Sequence, residues 1–199
     1  MLIYFLFLLV YLVDFPIANA IYYTNFSVFF LRLLNIITII GSFKIIALID
    51  VLLLLYFHIK NIKDKRNLLL IGIIAQAAAA ISIQILKYLY CRARPYYFFF
   101  NKYKENGFLF FCNNKDFTSF PSGHSAGVWG FIICMFFVFK DYKYIKFLSL
   151  LGVIVSLSRM LLSMHYLSDV IAGGLIGSIV VYCVMTIYIN SEFKNKTAV

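Results

Sequence analysis

The sequence predicts an all-α fold, a polytopic membrane helical bundle of about six transmembrane helices. Three observations carry that expectation: mean hydropathy is +0.91, only 13% of residues are charged, and long apolar runs alternate with short lysine-rich breaks. The apolar runs exceed what a soluble core of 199 residues needs, which excludes a soluble enzyme. A formal net charge of +10 would point to nucleic acid in a soluble chain. Here the lysines stand between apolar runs, where they anchor topology, and no nucleic-acid partner is expected.

Spans are expected near residues 1–20, 41–59, 67–90, 122–139, 147–164 and 167–189. Residues 1–13 lack a basic n-region, and the small-residue stretch "IANA" leads into more apolar sequence, so this run reads as a retained first span with Asp14 and Pro16 marking its outer end. Residues 24–40 are apolar but include Arg32 and Asn35; they either lie along the membrane surface or add to a span. No low-complexity segment or repeat divides the chain. Residues 1–199 are therefore expected to be a single integral-membrane domain with a motif-bearing core at about 67–189.

Orientation follows from the short basic breaks. "KNIKDKR" (60–66), "KDYKYIK" (140–146) and the tail "SEFKNK" hold nine of the 18 Lys and Arg residues and are expected to be cytoplasmic. The stretch 96–120 is also basic, but long loops obey the charge rule weakly. The outer face then holds this long loop, the start of the fourth span and the junction of the fifth and sixth. Cys91, Cys112, Cys134 and Cys183 show no paired ligand spacing, so no zinc site is expected. Cys91 and Cys112 flank the long polar stretch. Free thiols are the expected state, with a disulfide the alternative if that stretch is extracytoplasmic.

The unusual polar residues collect at this outer face. In "KYLYCRARP", Lys87 and Arg94 are seven residues apart, two helical turns, and project from nearly one side. "SFPSGHSAG" interrupts apolar sequence with Ser122, Gly123 and His124. "SRMLLSMHYLSD" sets Arg159 six residues before His165, and Asp169 four after it. Lys87 alone reads equally as a snorkelling lysine, His124 alone as a satisfied interior histidine, and Asp169 alone as a helix cap. Arg159 is different, because an unpaired charge within an apolar run costs about 3 kcal/mol and needs a polar partner inside the bundle.

Taken together, Lys87, Arg94 and Arg159 put three cations around one point, and guanidinium forks suit phosphate oxygens. Pro121 and Ser122 are suited to opening a helix whose free N–H groups face the same anion, with Gly123 allowing close approach. The Asp169 carboxylate, at i+4, can take the proton of one His165 ring nitrogen and leave the other basic enough to attack phosphorus. His124 is then the acid for the departing oxygen and the base for the hydrolytic water. No cofactor is expected. Of eight Asp and Glu residues only Asp169 falls within these clusters, too few to hold a pair of divalent ions.

Lys87, Arg94-Pro95, Pro121-Ser122-Gly123-His124, Ser158-Arg159, His165 and Asp169 resemble, in order and spacing, the three-motif signature of the type-2 phosphatidic acid phosphatase superfamily. The resemblance spans about residues 87–169. It implies a helical core, metal-free dephosphorylation through a phosphohistidine, His165 as nucleophile, Asp169 as its orienting partner and His124 as acid and base. It also implies Lys87, Arg94, Ser122, Gly123 and Arg159 as phosphate ligands. "RARPYYF", "GFLFF", "SFPSGHS" and the early "LVDFPIANAIYY" are similar to bacterial lipid A phosphatases acting at the 1-position. That similarity implies a lipid phosphate substrate and a multi-pass place in the bacterial inner membrane, with the site facing the periplasm. Neighbouring branches act on undecaprenyl pyrophosphate or phosphatidylglycerophosphate. A lipid phosphotransferase would use the same residues, whereas an anionic-lipid transporter would not need His165. The aromatics of "YYFFF" (96–100) are expected at the interface beside substrate access, as a belt. Asp50 needs a buried partner, with Lys44 a candidate; Gln76 and Gln84 read as interhelical, His58 as interfacial, and the small residues of "AGGLIG" (172–177) as a packing face.

Overall fold

A computed structural model describes residues 10–101, 108–111 and 114–197 of the chain. A π-helical turn, Val10–Asp14, runs into α1, Phe15–Tyr23, with Pro16 in the first turn where a missing N–H costs nothing. Asp14 thus lies inside a helical run, and not at its outer end as the apolar pattern suggested. Helix α2, Val28–Ile40, is capped by Ser27, whose Oγ accepts from Phe30 N at 3.2 Å. Ser42 does the same for α3, Phe43–Ile59, accepting from Ile45 N at 3.4 Å. The two helices meet at a bend of 46° and together have the length and apolarity of one broken span. Residues 24–40 thus supply α2, the first half of a bent pair that has the make-up of a broken span or of a re-entrant loop.

Three further helices are each long and apolar enough to cross a membrane: α4, Lys63–Leu89; α7, Tyr142–Leu161; and most of α8, Leu167–Thr197. Between α4 and α7 in sequence stands α6, Gly123–Phe139, a shorter apolar helix. The expected helical bundle is present; among the described residues it has three helices of spanning length, one bent pair and a short central helix, against the six spans expected. The first expected span falls partly on residues 1–9, outside the described residues.

Helix α6 is apolar on every face because it is surrounded. It packs against α4, α7 and α8, burying Phe131, Cys134, Met135 and Val138 with Leu69, Ala75 and Ala79 of α4 and Val181 and Met185 of α8. The α6–α8 approach depends on the small residues of the last helix. A Cβ added at Gly173 would stand 2.2 Å from the Ser122 carbonyl oxygen, and one at Gly177 2.2 Å from that of Ala126. The packing face read from residues 172–177 is real, and it fixes the start of α6 against the start of α8.

A small cap covers the end of the bundle where α4 and α7 finish and α6 and α8 begin. Strand β1, Tyr90–Arg92, pairs antiparallel with β2, Phe108–Phe110; α5, Pro95–Phe100, and a 3₁₀ turn, Lys115–Phe117, complete it. Phe98 and Phe99 of α5 are buried with Ala18 of α1, Ala93 and Tyr166, while Phe100 faces outward. The aromatic run is therefore mainly the clamp that holds α1 to the cap, and only partly a belt. Cys91 is disulfide-bonded, not a free thiol. Cys112, its partner in the alternative that the sequence reading left open, lies outside the described residues. Asp50 is buried beside Gln76 of α4, with its Oδ1 lacking a hydrogen-bond partner.

Candidate active site

Four helix termini and the cap bring the sequence motifs together. Lys87, in the last turn of α4, turns inward, and its Nζ donates to the Thr118 carbonyl at 2.6 Å. Arg94, at the start of α5, donates through Nη2 to Thr118 Oγ1 at 3.1 Å and approaches Met164 Sδ with Nη1 at 3.7 Å. Arg159, in the last turn of α7, is buried and donates through Nη1 to Thr38 Oγ1 of α2 at 3.0 Å. Among the described residues, no carboxylate forms a salt bridge with any of these three cations. Their partners are neutral hydroxyl, carbonyl and thioether groups, so their mutual repulsion is left for an anion to relieve. Burial pushes the Arg94 guanidinium below its usual range, against an upward pull from Tyr96, Asp116 and Asp169.

Ser122 is the N-cap of α6, accepting from Ser125 N at 3.5 Å and Ser125 Oγ at 3.1 Å, while its own N–H donates to the Asp169 carbonyl at 2.9 Å. A Cβ at Gly123 would meet only Phe43 and Ile83, at 3.7 and 3.9 Å. Protein packing does not demand glycine there, in contrast to Gly173 and Gly177. His124, in the first turn of α6, lies within electrostatic reach of Arg159, His165, Lys87 and Arg94.

A left-handed residue, Ser163 (φ 53°), ends α7, and Met164 N and His165 N both return to the Arg159 carbonyl, at 3.1 and 3.3 Å. This turn aims His165 across the bundle, where its Nδ1 lies 2.7 Å from the Ser119 carbonyl oxygen. A carbonyl only accepts, so Nδ1 carries the proton and the lone pair of the neutral ring is on Nε2. Burial holds the imidazole down at about 4, against an upward pull from Asp169, so the neutral ring is the resting form. The sequence expected Asp169 to take the Nδ1 proton. Its Oδ2 is 3.7 Å from Nδ1, beyond hydrogen-bond reach, and accepts instead from Ser119 Oγ at 2.5 Å and Tyr166 N at 2.8 Å. Asp169 thus caps α8 and stands beside His165 as a charge, while Ser119 receives the proton.

Sequence reasoning missed Arg92, Asp14, Thr38, Thr118 and Ser119. Arg92 is fully buried, bridging Asp169 Oδ1 at 2.6 Å and Asp14 Oδ2 at 2.9 Å, with its guanidinium stacked 3.8 Å from the Tyr166 ring centre. Burial disfavours the Arg92 charge, but the two carboxylates outweigh it and hold the group above its usual range. The available signals were an acid at the end of an apolar run and a second arginine two residues before Arg94. Among the described residues, no three His, Cys, Asp or Glu side chains gather as a metal site.

Comparison with known proteins bears on the family and the fold. Lipid A 1-phosphatase of Rhizobium johnstonii is 35% identical over 94 residues, 47% of this chain and 37% of that protein. Lipid A 1-phosphatase of Rhizobium etli is 36% identical over 89 residues, 45% of this chain and 37% of that protein. The matched stretch thus spans little more than a third of these relatives' length. The crystal structure of Aquifex aeolicus LpxE superposes with a TM-score of 0.60 at 18% identity, covering 87% of this chain and 94% of that one. A transmembrane PAP2-type phosphatidylglycerolphosphate phosphatase from Bacillus subtilis gives a TM-score of 0.60 at 18% identity, covering 88% and 84%. These two share the fold. Residues 67–193, well over half of the chain and including every motif residue above, match the PAP2 superfamily, and this multi-pass membrane protein belongs to that family.

Proposed function

We propose that the chain is a metal-independent lipid phosphatase, a single membrane domain that hydrolyses a lipid phosphomonoester or anhydride through a phosphohistidine on His165, with lipid A 1-phosphate as substrate. The observation that carries this reading is the convergence of Lys87, Arg94 and Arg159, none paired with a carboxylate among the described residues, beside a histidine whose free lone pair is on Nε2. Nε2 attacks phosphorus as the P–O bond to the lipid breaks, and His124 gives its proton to the departing oxygen. His124 then takes a proton from water, whose oxygen attacks the phosphohistidine and releases phosphate. The three cations and the N–H groups at the start of α6 stabilise charge on the transferring group.

The curated relatives' names support lipid A as the lipid. A periplasmic position is supported by the disulfide at Cys91, which fits an oxidising compartment, and by the lysine-rich breaks 60–66 and 140–146 at the opposite helix ends. The test is phosphate release by purified protein, with lipid A, undecaprenyl pyrophosphate and phosphatidylglycerophosphate compared side by side and a chelator present. Release from lipid A should be fastest, insensitive to chelator, and reduced at least about 10³-fold by His165→Ala. A faster rate on another lipid would move the substrate assignment. Full activity of the His165→Ala variant would remove the mechanism.

A further inference from the structure

The buried ionic group behind His165 contains more charge than helix capping requires. It comprises one guanidinium, that of Arg92, and two carboxylates, Asp169 from α8 and Asp14 from the N-terminal segment, and none of the three is more than 1% exposed. Asp14 is held further by α8 itself: its Oδ1 accepts from Ser168 N at 2.9 Å, its Oδ2 accepts from the Ser168 hydroxyl, and that hydroxyl accepts from Arg92 Nη1 at 2.8 Å. Arg92 also fixes the acceptor of the His165 proton, since its carbonyl takes the Ser119 N–H at 3.0 Å and the Ser119 carbonyl faces His165 Nδ1.

Counting charge shows what Asp14 adds. Arg92 and Asp169 alone are neutral; with Asp14 the group carries −1. His165 becomes cationic when Nε2 bonds to phosphorus, in a pocket already holding three positive side chains, so a neutral neighbour would leave that charge unopposed.

We propose that Asp14 and Arg92 are positioning residues of the phosphoryl transfer, with Asp14 supplying the net negative charge that stabilises the phosphorylated His165 ring and tying the N-terminal helix to catalysis. This rests on the phosphohistidine reading above. Among the described residues neither forms a hydrogen bond or ion pair with Lys87, Arg94 or Arg159, so their effect falls on kcat and not on phosphate affinity.

The experiment compares Asp14→Asn with the parent for kcat, KM, thermal midpoint and the inhibition constant of inorganic phosphate. Asp14→Asn should lower kcat at least about 10-fold while KM and the phosphate inhibition constant stay within about 2-fold. A kcat within about 2-fold of the parent overturns the proposal. So does a parallel loss of phosphate affinity, which would assign Asp14 to building the pocket. If Asp14→Asn does not fold, Arg92→Lys carries the test, because an ammonium keeps the charge but cannot bridge both carboxylates and stack on Tyr166 as the guanidinium does. There kcat should fall at least about 10-fold with the phosphate inhibition constant within about 2-fold, and a kcat within about 2-fold of the parent overturns the proposal. A parent that forms no phosphohistidine would instead count against the function itself.

Discussion

At the scale of single residues, the site holds Lys87, Arg94 and Arg159 on neutral partners and sets the Arg92 ion pairs behind His165. His165 gives the clearest expectation. Its ring is buried and neutral down to about 4, and protonation would remove the Nε2 lone pair, so under the proposed mechanism the capacity to attack is full above that pH and is lost as pH falls through it. Histidine ¹⁵N NMR, with His165→Ala assigning the resonance, should find a midpoint near 4; a midpoint near 6.5, the value for a solvated ring, would contradict the burial argument. The motif residues were legible in the sequence because a histidine, arginine or lysine beside apolar runs is costly and demands a reason. Their partners were not. Thr38, Thr118 and Ser119 are ordinary loop or helix residues until α2 and the cap carry them to Arg159, Lys87 and His165. Arg92 went unread because nothing in its neighbourhood in sequence announces Asp14, 78 positions away.

At the scale of elements, two glycines near the same site answer to different causes. Gly173 is needed by the protein: a Cβ would meet the Ser122 carbonyl at 2.2 Å, so Gly173→Ala must part α6 from α8 at its start, costing about 1–3 kcal/mol and disturbing the Ser122 cap. Gly123 has room for a methyl within the protein, with its nearest contact at 3.7 Å. Gly123→Ala should therefore leave the unfolding midpoint within about 2 °C of the parent while weakening inhibition by inorganic phosphate roughly 10-fold, whereas Gly173→Ala should lower both stability and affinity. Thermal unfolding in detergent beside phosphate inhibition separates the two, and equal destabilisation would refute the distinction. The helices themselves were readable from apolar periodicity and length. The two-stranded cap was not, since three-residue strands leave no pattern, and the bend between α2 and α3 was hidden because both sides are equally apolar.

At the scale of the whole molecule, the bundle serves to hold charge at one end of an otherwise apolar body. The small residues of α8 let α6 sit close enough for their two N-termini to share the Ser122–Asp169 bond, and α4 and α7 deliver Lys87 and Arg159 from the other direction. The N-terminal helix closes the arrangement through its aromatic clamp on α5 and the Asp14–Arg92 pair. The central claim is that this end of the bundle passes phosphorus through the Nε2 atom of His165. Rapid quenching of purified protein with ³²P-labelled lipid A 1-phosphate, followed by peptide analysis, tests it most directly. Acid-labile, alkali-stable label on the peptide containing His165, formed and lost at least as fast as phosphate is released and absent from His165→Ala, is the expected result. Steady phosphate release with no label on that peptide would contradict the account.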